Sequence, residues 1–219
     1  MKHTNGVHTR VLDGLSPPVG WLVQQSFDNC PLVPIKGRKF ILNPLTEQIP
    51  ATSPELLEDA ANWIATATDF SAATKIVGEE DKGGILVAAT SLKVGLPFGL
   101  ARWQPSGLEG QVKVDFECEY TSGTLYLNGA EKSDRVIIVD DIISTGGTMI
   151  SLIKALQKTG CEIVDVICVA EKVDYHGARR VFEETGIRVK CLMQLSMDGE
   201  TSSVLPMPEA DFSLPSTYS

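Results

Sequence analysis

A chain of 219 residues with 43% hydrophobic content holds enough apolar material for one sizeable core, and one domain is the simplest expectation. Its formal charge of -9 excludes the clustered Lys and Arg of an extended nucleic-acid footprint, so an anionic ligand has to be met locally, by a few placed donors or a metal ion. The longest apolar run, from Ile85, meets Lys93 too soon to span a bilayer; the start lacks the apolar core of a signal peptide, and the five cysteines form no Cys-x-x-Cys pair. A soluble, cytoplasmic protein with free thiols is expected, with neither nucleic acid nor membrane as partner.

Residues 1–30 carry Gly, Pro, Asn and Thr without a period and read as a loose arm that packs on something else or stays mobile; residues 203–219 read as a tail of the same character. Between them, "RKFILNP" reads as a short strand. "SPELLEDAANWIATA" reads as a helix with Ser53 as N-cap, Pro54 at the first helical position and Leu56, Leu57, Ala60, Ala61 and Ile64 on one face. "TKIVG" is a buried strand ending in Gly78, "GGILVAATSLKVG" a helix closed by Gly95, and "LPFGLA" the next strand.

The period then changes. In "QVKVDFECEY", Val112, Val114, Phe116, Cys118 and Tyr120 alternate with polar residues, and "TLYL" follows, which predicts a β-hairpin with one solvated face. "RVIIV" resumes the buried sheet, "GTMISLIKALQKTG" is a helix closed by Gly160, "EIVDVICVA" a strand, "ARRVFEETG" a short helix and "RVKCLMQL" the last strand. Such strand-helix-strand units with near-continuous apolar strands predict an α/β domain over about residues 31–202, with a central parallel sheet flanked by helices.

The densest chemistry lies in "VIIVDDIISTGGTM", residues 136–149. Ligands of such sheets sit beyond the carboxyl ends of the strands, where Asp140 and Asp141 fall. The "STGG" that follows enters a helix, so its amides and the positive end of the helix dipole face the same crevice. Ser144, Thr145 and Thr148 add hydroxyls, and Gly146 and Gly147 let the backbone come close to a ligand. Amides and hydroxyls suit a phosphate; two carboxylates suit vicinal sugar hydroxyls. A capped helix with a tight turn would explain one Asp and one Gly, but not this whole set. Neither a Gly-Lys-Ser/Thr loop nor a Gly-x-Gly-x-x-Gly turn is present. "VGEEDKGG", residues 77–84, also ends a strand and opens a helix, giving a second anion-binding turn, although "EEDK" by itself is a common surface composition.

"VIIVDDIISTGGTM" resembles the phosphoribosyl pyrophosphate (PRPP) signature of type I phosphoribosyltransferases, and other segments agree over about residues 35–200. The agreement is greatest with purine enzymes, the adenine type and the archaeal hypoxanthine/guanine type: "FILNPLTEQIPATSPELLEDAA" and "GTLYLNG" are similar to segments of the archaeal group. The resemblance implies a type I phosphoribosyltransferase fold with a small N-terminal hood over about residues 31–70 and an inserted hairpin lid over about 103–126. It implies transfer of ribose 5-phosphate from PRPP to a purine base, giving a nucleoside monophosphate and pyrophosphate, in a homodimer. Mg²⁺ is the implied cofactor, held mainly by PRPP and water.

The same resemblance assigns residues. Asp140 and Asp141 meet the ribose, and Ser144, Thr145, Gly146, Gly147 and Thr148 the 5-phosphate. Lys82 meets the pyrophosphate, with a non-proline cis bond from Asp81 to Lys82, while Glu79, Glu80 and Asp81 point away or act through Mg²⁺. Arg102 matches the arginine of an Arg-Lys pair that grips pyrophosphate, commonly from the neighbouring subunit, but Trp103 stands where the Lys is expected and can instead stack on a ring or pack at an interface. Glu119 matches, with Tyr120, a catalytic Glu-Tyr pair that assists proton transfer at the purine; as the outward residue of an alternating strand it has an equally plain reading. Lys172 matches a lysine that reads a 6-oxo group, Glu171 a glutamate of adenine enzymes, and Val173 adjoins the base; both registers fit. His176 is expected to begin the short helix. Two alternatives remain: a non-catalytic PRPP-sensing regulator, against which the arm of about thirty residues shows no helix-turn-helix pattern and is not basic, and an enzyme for another heterocyclic base.

Overall fold

The computed structural model describes residues 17–35, 38–117 and 122–206. In chain order it contains α1 (Trp21–Phe27), β1 (Leu32–Ile35), β2 (Arg38–Ile41), α2 (Pro54–Thr66), β3 (Lys75–Glu79), α3 (Gly83–Val94), β4 (Phe98–Arg102), β5 (Val112–Glu117), β6 (Ser122–Leu127), β7 (Arg135–Ile143), α4 (Gly147–Thr159), β8 (Glu162–Lys172), α5 (Gly177–Thr185), β9 (Lys190–Ser196) and β10 (Ser203–Leu205). Among the described residues no helix is long and apolar enough to cross a membrane.

Eight strands form one sheet in the order β10-β9-β8-β7-β3-β4-β6-β5. The five central strands, β9 to β4, run parallel, while the hairpin β5-β6 and the short β10 add antiparallel edges. The fold is thus the expected α/β sandwich, with a mixed rather than wholly parallel sheet. Strand β7 shows why it has two cores. Ile137 and Val139 face one apolar cluster with α1, α2 and α3, whereas Val136 and Ile138 face another with α4 and the hairpin. Alternate side chains of a strand point to opposite faces, and all four are fully buried, each contributing about 1.5–3 kcal/mol of transfer free energy. Helix α2 starts as expected: the Leu56 amide donates to Ser53 Oγ at 3.2 Å, and Leu56, Ala60, Ala61 and Ile64 are buried.

Three elements lie outside the sequence expectation. The described part of the arm forms α1, whose Val23 and Phe27 are fully buried. It is tied to α2 by the Gly20 and Val23 amides, which donate to Asp59 at 2.8 and 3.2 Å. Strand β1 pairs with β2 as a separate two-stranded hood sheet. The start of the tail forms β10 on β9, beside a fully buried Ser202 whose hydroxyl donates to the Phe27 carbonyl at 2.6 Å. The contacts of α1 with α2 and of Ser202 with Phe27 are long-range, so no local period announces them, whereas β1 pairs with β2, its neighbour in the chain.

Candidate active site

Strands β3 and β7 are parallel neighbours at the centre of the sheet, so the loops at their carboxyl ends lie side by side. They open into a cavity of about 290 Å³. One wall comes from β7 and the loop beyond it: Asp140, Asp141, Ile142, Ser144 and Thr148. The opposite wall comes from the loop after β3, with Glu79, Asp81 and Lys82, and from Trp103 after β4. The hood closes a third side with Phe40, Ile41, Thr46 and Glu47, and Lys172 at the end of β8 completes the lining.

The carboxylates are packed against each other. Asp140, Asp141 and Glu79 are all buried. Burial pushes the Asp140 carboxyl well above the ordinary carboxylate range, and the charges of Asp141 and Glu79 add to it. Burial also raises Asp141, offset in part by the Ile142 amide and the Lys82 ammonium. The Asp141 amide donates to Asp140 Oδ1 at 2.9 Å. Gly83, the first residue of α3, allows this packing, because a Cβ there would stand 2.5 Å from Asp140 Oδ1. Glu79 is pushed up to about 7, chiefly by burial. Its Oε1 accepts from the Asp81 amide at 2.9 Å and from the Trp103 indole N–H.

The loop after β7 is held from behind. Gly146 takes φ 79° as the N-cap of α4, and a Cβ there would lie 2.8 Å from the Gly177 carbonyl oxygen. A Cβ on Gly177 would lie 2.0 Å from the Ser144 carbonyl oxygen. Arg180 Nη1 donates to the Thr145 carbonyl at 3.1 Å. The first turns of α5 therefore brace the loop while its Ser144 and Thr148 side chains line the cavity, as a phosphate cradle at a helix N-terminus requires.

A family profile described as phosphoribosyl transferase domain matches residues 55–194. The hypoxanthine/guanine phosphoribosyltransferase of Methanotorris igneus is 41% identical over 180 residues, covering 82% of this chain and 97% of that protein. The chain belongs to the phosphoribosyltransferase family. An adenine phosphoribosyltransferase of Giardia lamblia, solved in complex with 9-deazaadenine, matches with a TM-score of 0.69 at 21% identity over 82% of this chain and 98% of that one. The adenine phosphoribosyltransferase of Trypanosoma brucei, in complex with AMP, pyrophosphate and ribose-5-phosphate, matches with a TM-score of 0.65 at 20% identity over 84% and 82%. At these identities the two structures establish the fold.

This phosphoribosyltransferase brings Asp140, Asp141, Ser144, Thr148, Lys82 and Lys172 together around one cavity. It leaves other expected residues outside. Thr145, Gly146, Gly147 and Val173 do not line the cavity, and Val173 instead opens a 3-10 turn, Val173–Tyr175. Arg102 is also absent from the lining, and its half-exposed side chain lies 3.9 Å from Glu80. Glu119 and Tyr120 lie outside the described residues. Of the two competing registers on β8, Lys172 faces the cavity and is 3% exposed, whereas Glu171 accepts from the Ala178 amide at 3.2 Å and so caps α5. Alternation along a strand sends neighbours to opposite sides, so only one could face inward. His176 is the N-cap of α5, as expected.

One expectation for the loop after β3 is narrowed and one is corrected. Of the two readings for its acids, Glu80 lies outside the lining and accepts from the Trp103 amide at 2.8 Å, whereas Glu79 and Asp81 line the cavity, which leaves them the reading through Mg²⁺; Glu79 is anchored there by the Asp81 amide and the Trp103 indole. The Asp81–Lys82 bond is not cis; the cis bond among the described residues is Ile49–Pro50. The trans form is the ordinary state of a non-proline bond, and Glu79 already holds the Asp81 amide in place here. The hood residues Phe40, Ile41, Thr46 and Glu47 fall in a segment that carries the family resemblance but assigned none of them to the site, although the Asn-x-x-Thr spacing of 43–46 marks the turn that presents them.

The cavity's carboxylate and hydroxyl oxygens suit a hard divalent cation. Among the described residues no group of three or more His, Cys, Asp or Glu side chains is placed to hold a metal ion. Asp140 and Asp141 can each offer an oxygen to a cation that keeps its other ligands as water and substrate oxygens.

Proposed function

We propose that this phosphoribosyltransferase transfers ribose 5-phosphate from PRPP to a 6-oxopurine, hypoxanthine or guanine, releasing pyrophosphate. The observation that carries the choice of base is the buried Lys172 in the cavity, with Glu171 turned away. An ammonium donates and cannot accept, so it matches a 6-oxo group and not an exocyclic amine. The name of the Methanotorris igneus relative supports the same class of base.

In this reading the 5-phosphate sits on the loop Ser144–Thr148, at the N-terminus of α4. Asp140 and Asp141 hold the ribose hydroxyls. The purine nitrogen attacks the anomeric carbon, the C–O bond to pyrophosphate breaks, and its electron pair leaves with the pyrophosphate oxygen. Positive charge builds on the sugar as that bond lengthens, and the two buried carboxylates stabilise it. Lys82 binds the leaving pyrophosphate, and Arg102 does so across the interface of a homodimer, which accounts for its position outside its own chain's cavity. Glu119 takes the proton lost from the purine ring. A Mg²⁺ ion would be held mainly by PRPP and water, with Asp140 and Asp141 able to offer it an oxygen each, and would supply charge neutralisation for the leaving group. The hairpin region, about 103–126, closes over the reactants and excludes water, within a domain that α1 and β10 extend beyond the expected 31–202 to residues 21–205. The enzyme works in the cytoplasm.

The test is a panel of hypoxanthine, guanine, adenine, xanthine and orotate with PRPP and Mg²⁺, followed by ultraviolet difference spectra. Hypoxanthine and guanine are expected to exceed adenine in kcat/KM by at least about 100-fold, the discrimination that an unpaired buried polar group imposes. Equal use of adenine would overturn the choice of base. Tight PRPP binding without turnover of any base would identify a PRPP sensor instead.

A further inference from the structure

Lys82 already has a partner from another part of the chain. Its ammonium forms an ion pair with Glu47 Oε1, across 35 residues of sequence, and lies 5.5 Å from the centre of the Phe40 ring. Both partners belong to the hood, while Lys82 belongs to the loop after β3. Glu47 is presented by a built turn and not by a free side chain on an open loop. Asn43, fully buried, accepts from the Leu45 and Thr46 amides at 2.9 Å each through its Oδ1. Its Nδ2 donates to Thr46 Oγ1 at 2.7 Å, and its carbonyl accepts from the Glu47 amide at 3.2 Å. Leu45, 1% exposed, plugs this turn into the core.

The cavity lining counts five carboxylates, Glu47, Glu79, Asp81, Asp140 and Asp141, against two lysines, Lys82 and Lys172. A phosphate oxygen entering beside Lys82 must therefore compete with the hood carboxylate. We propose that Glu47 is a positioning residue that acts through Lys82, holding the ammonium in the ligand-free enzyme and yielding it to the anionic part of the substrate. This inference rests on the reading that Lys82 meets the pyrophosphate of PRPP. Its consequence is a link between the hood, which covers the base, and the loop, which takes the pyrophosphate. The hood pairs with Lys82 when the phosphate subsite is empty and is released from it when that subsite fills. The return of Glu47 to Lys82 then assists departure of pyrophosphate.

The experiment measures binding of PRPP and of inorganic pyrophosphate, each with Mg²⁺, to the full chain by calorimetry, together with steady-state kinetics. Wild type, Glu47→Gln, Lys82→Gln and the double variant are compared. Glu47→Gln keeps the size of the side chain and removes the competing charge. It should tighten both ligands and lower the KM for PRPP roughly three- to tenfold, the range of a partly exposed ion pair, while the KM for the base stays within about twofold. In the Lys82→Gln background the same change should have no effect on either ligand, because the residue through which Glu47 acts is gone. Unchanged or weaker binding by Glu47→Gln with an unaltered melting temperature would overturn the inference. So would an equal gain in the Lys82→Gln background, which would reduce Glu47 to one part of a general negative field. Failure of the wild-type protein to bind PRPP at all would instead remove the proposed function on which the inference stands.

Discussion

Replacing Gly177 by Ala would put a methyl carbon 2.0 Å from the Ser144 carbonyl oxygen, 2.8 Å from the Ser144 carbonyl carbon and 3.0 Å from Ile143 Cγ1. A carbon and a carbonyl oxygen rest at about 3.3 Å or more, so the loop and α5 must part by roughly 1.3 Å. Neither side can yield cheaply. The Ser144 carbonyl belongs to the main chain of the loop, and α5 is held to that loop by Arg180 and to β8 by Glu171. Forcing a methyl into such a contact costs about 1–3 kcal/mol, which lowers the melting temperature of a protein of this size by about 2–12 °C. The effect on catalysis should be larger in proportion, because Ser144 and Thr148 line the cavity and a displacement of about 1 Å can cost 100-fold. The assay is nucleotide formation at subsaturating PRPP, with melting followed in parallel. We expect kcat/KM for PRPP to fall about 100-fold while the folded protein persists at room temperature. A variant that keeps kcat/KM within threefold of wild type would refute the argument that α5 sets the geometry of the loop from Ser144 to Thr148.

Exchanging both Asp140 and Asp141 for Asn should abolish turnover and leave the fold intact, since two buried carboxylates held above their ordinary range are replaced by neutral side chains of the same shape; circular dichroism with an activity assay checks this, and turnover within a few-fold of wild type would exclude the ribose role. Changing Lys172 to Met should lower kcat/KM for hypoxanthine roughly 10- to 100-fold, the loss of one charged hydrogen bond, with a smaller change in the KM for PRPP. For Glu79 the folded-state value, about 7, lies above the ordinary 4.5, so its contribution to stability is fully present below 4.5 and is lost as pH rises through 7. The gap corresponds to about 3 kcal/mol, and Glu79→Gln, which retains an acceptor for Asp81 and Trp103, should melt higher than wild type at pH 8 but not at pH 4. Equal pH dependence of melting in the two proteins would show that Glu79 is not the group responsible.

Much of the site is legible in the sequence, and for a local reason. Asp140, Asp141, Ser144 and Thr148 lie within nine residues of one strand-loop-helix unit, whose geometry follows from the buried run ahead of it and the glycines inside it. Lys82 was legible in the same way, as the turn between β3 and α3. Trp103 was recognised as a departure, but its role was not: only the structure shows its indole bonded to Glu79 at the cavity wall. Gly177 left no trace in the sequence beyond standing at a helix start, because the contact that demands glycine comes from a carbonyl 33 residues earlier.

The sequence by itself determined the alternation of strands and helices, the helix ends and the two strand-to-helix turns at the cavity, since these depend on residues within a few positions of each other. Tertiary structure alone decided that Lys172 and not Glu171 enters the cavity, that residues 21–27 and 203–205 join the core and the sheet, and that Glu47 of the hood holds Lys82. Those outcomes depend on which way a strand end is rotated and on pairings between segments far apart in the chain, such as Phe27 and Ser202, 175 residues apart. Their free energy comes from closing the chain on itself, and a local pattern of residues carries no record of that closure.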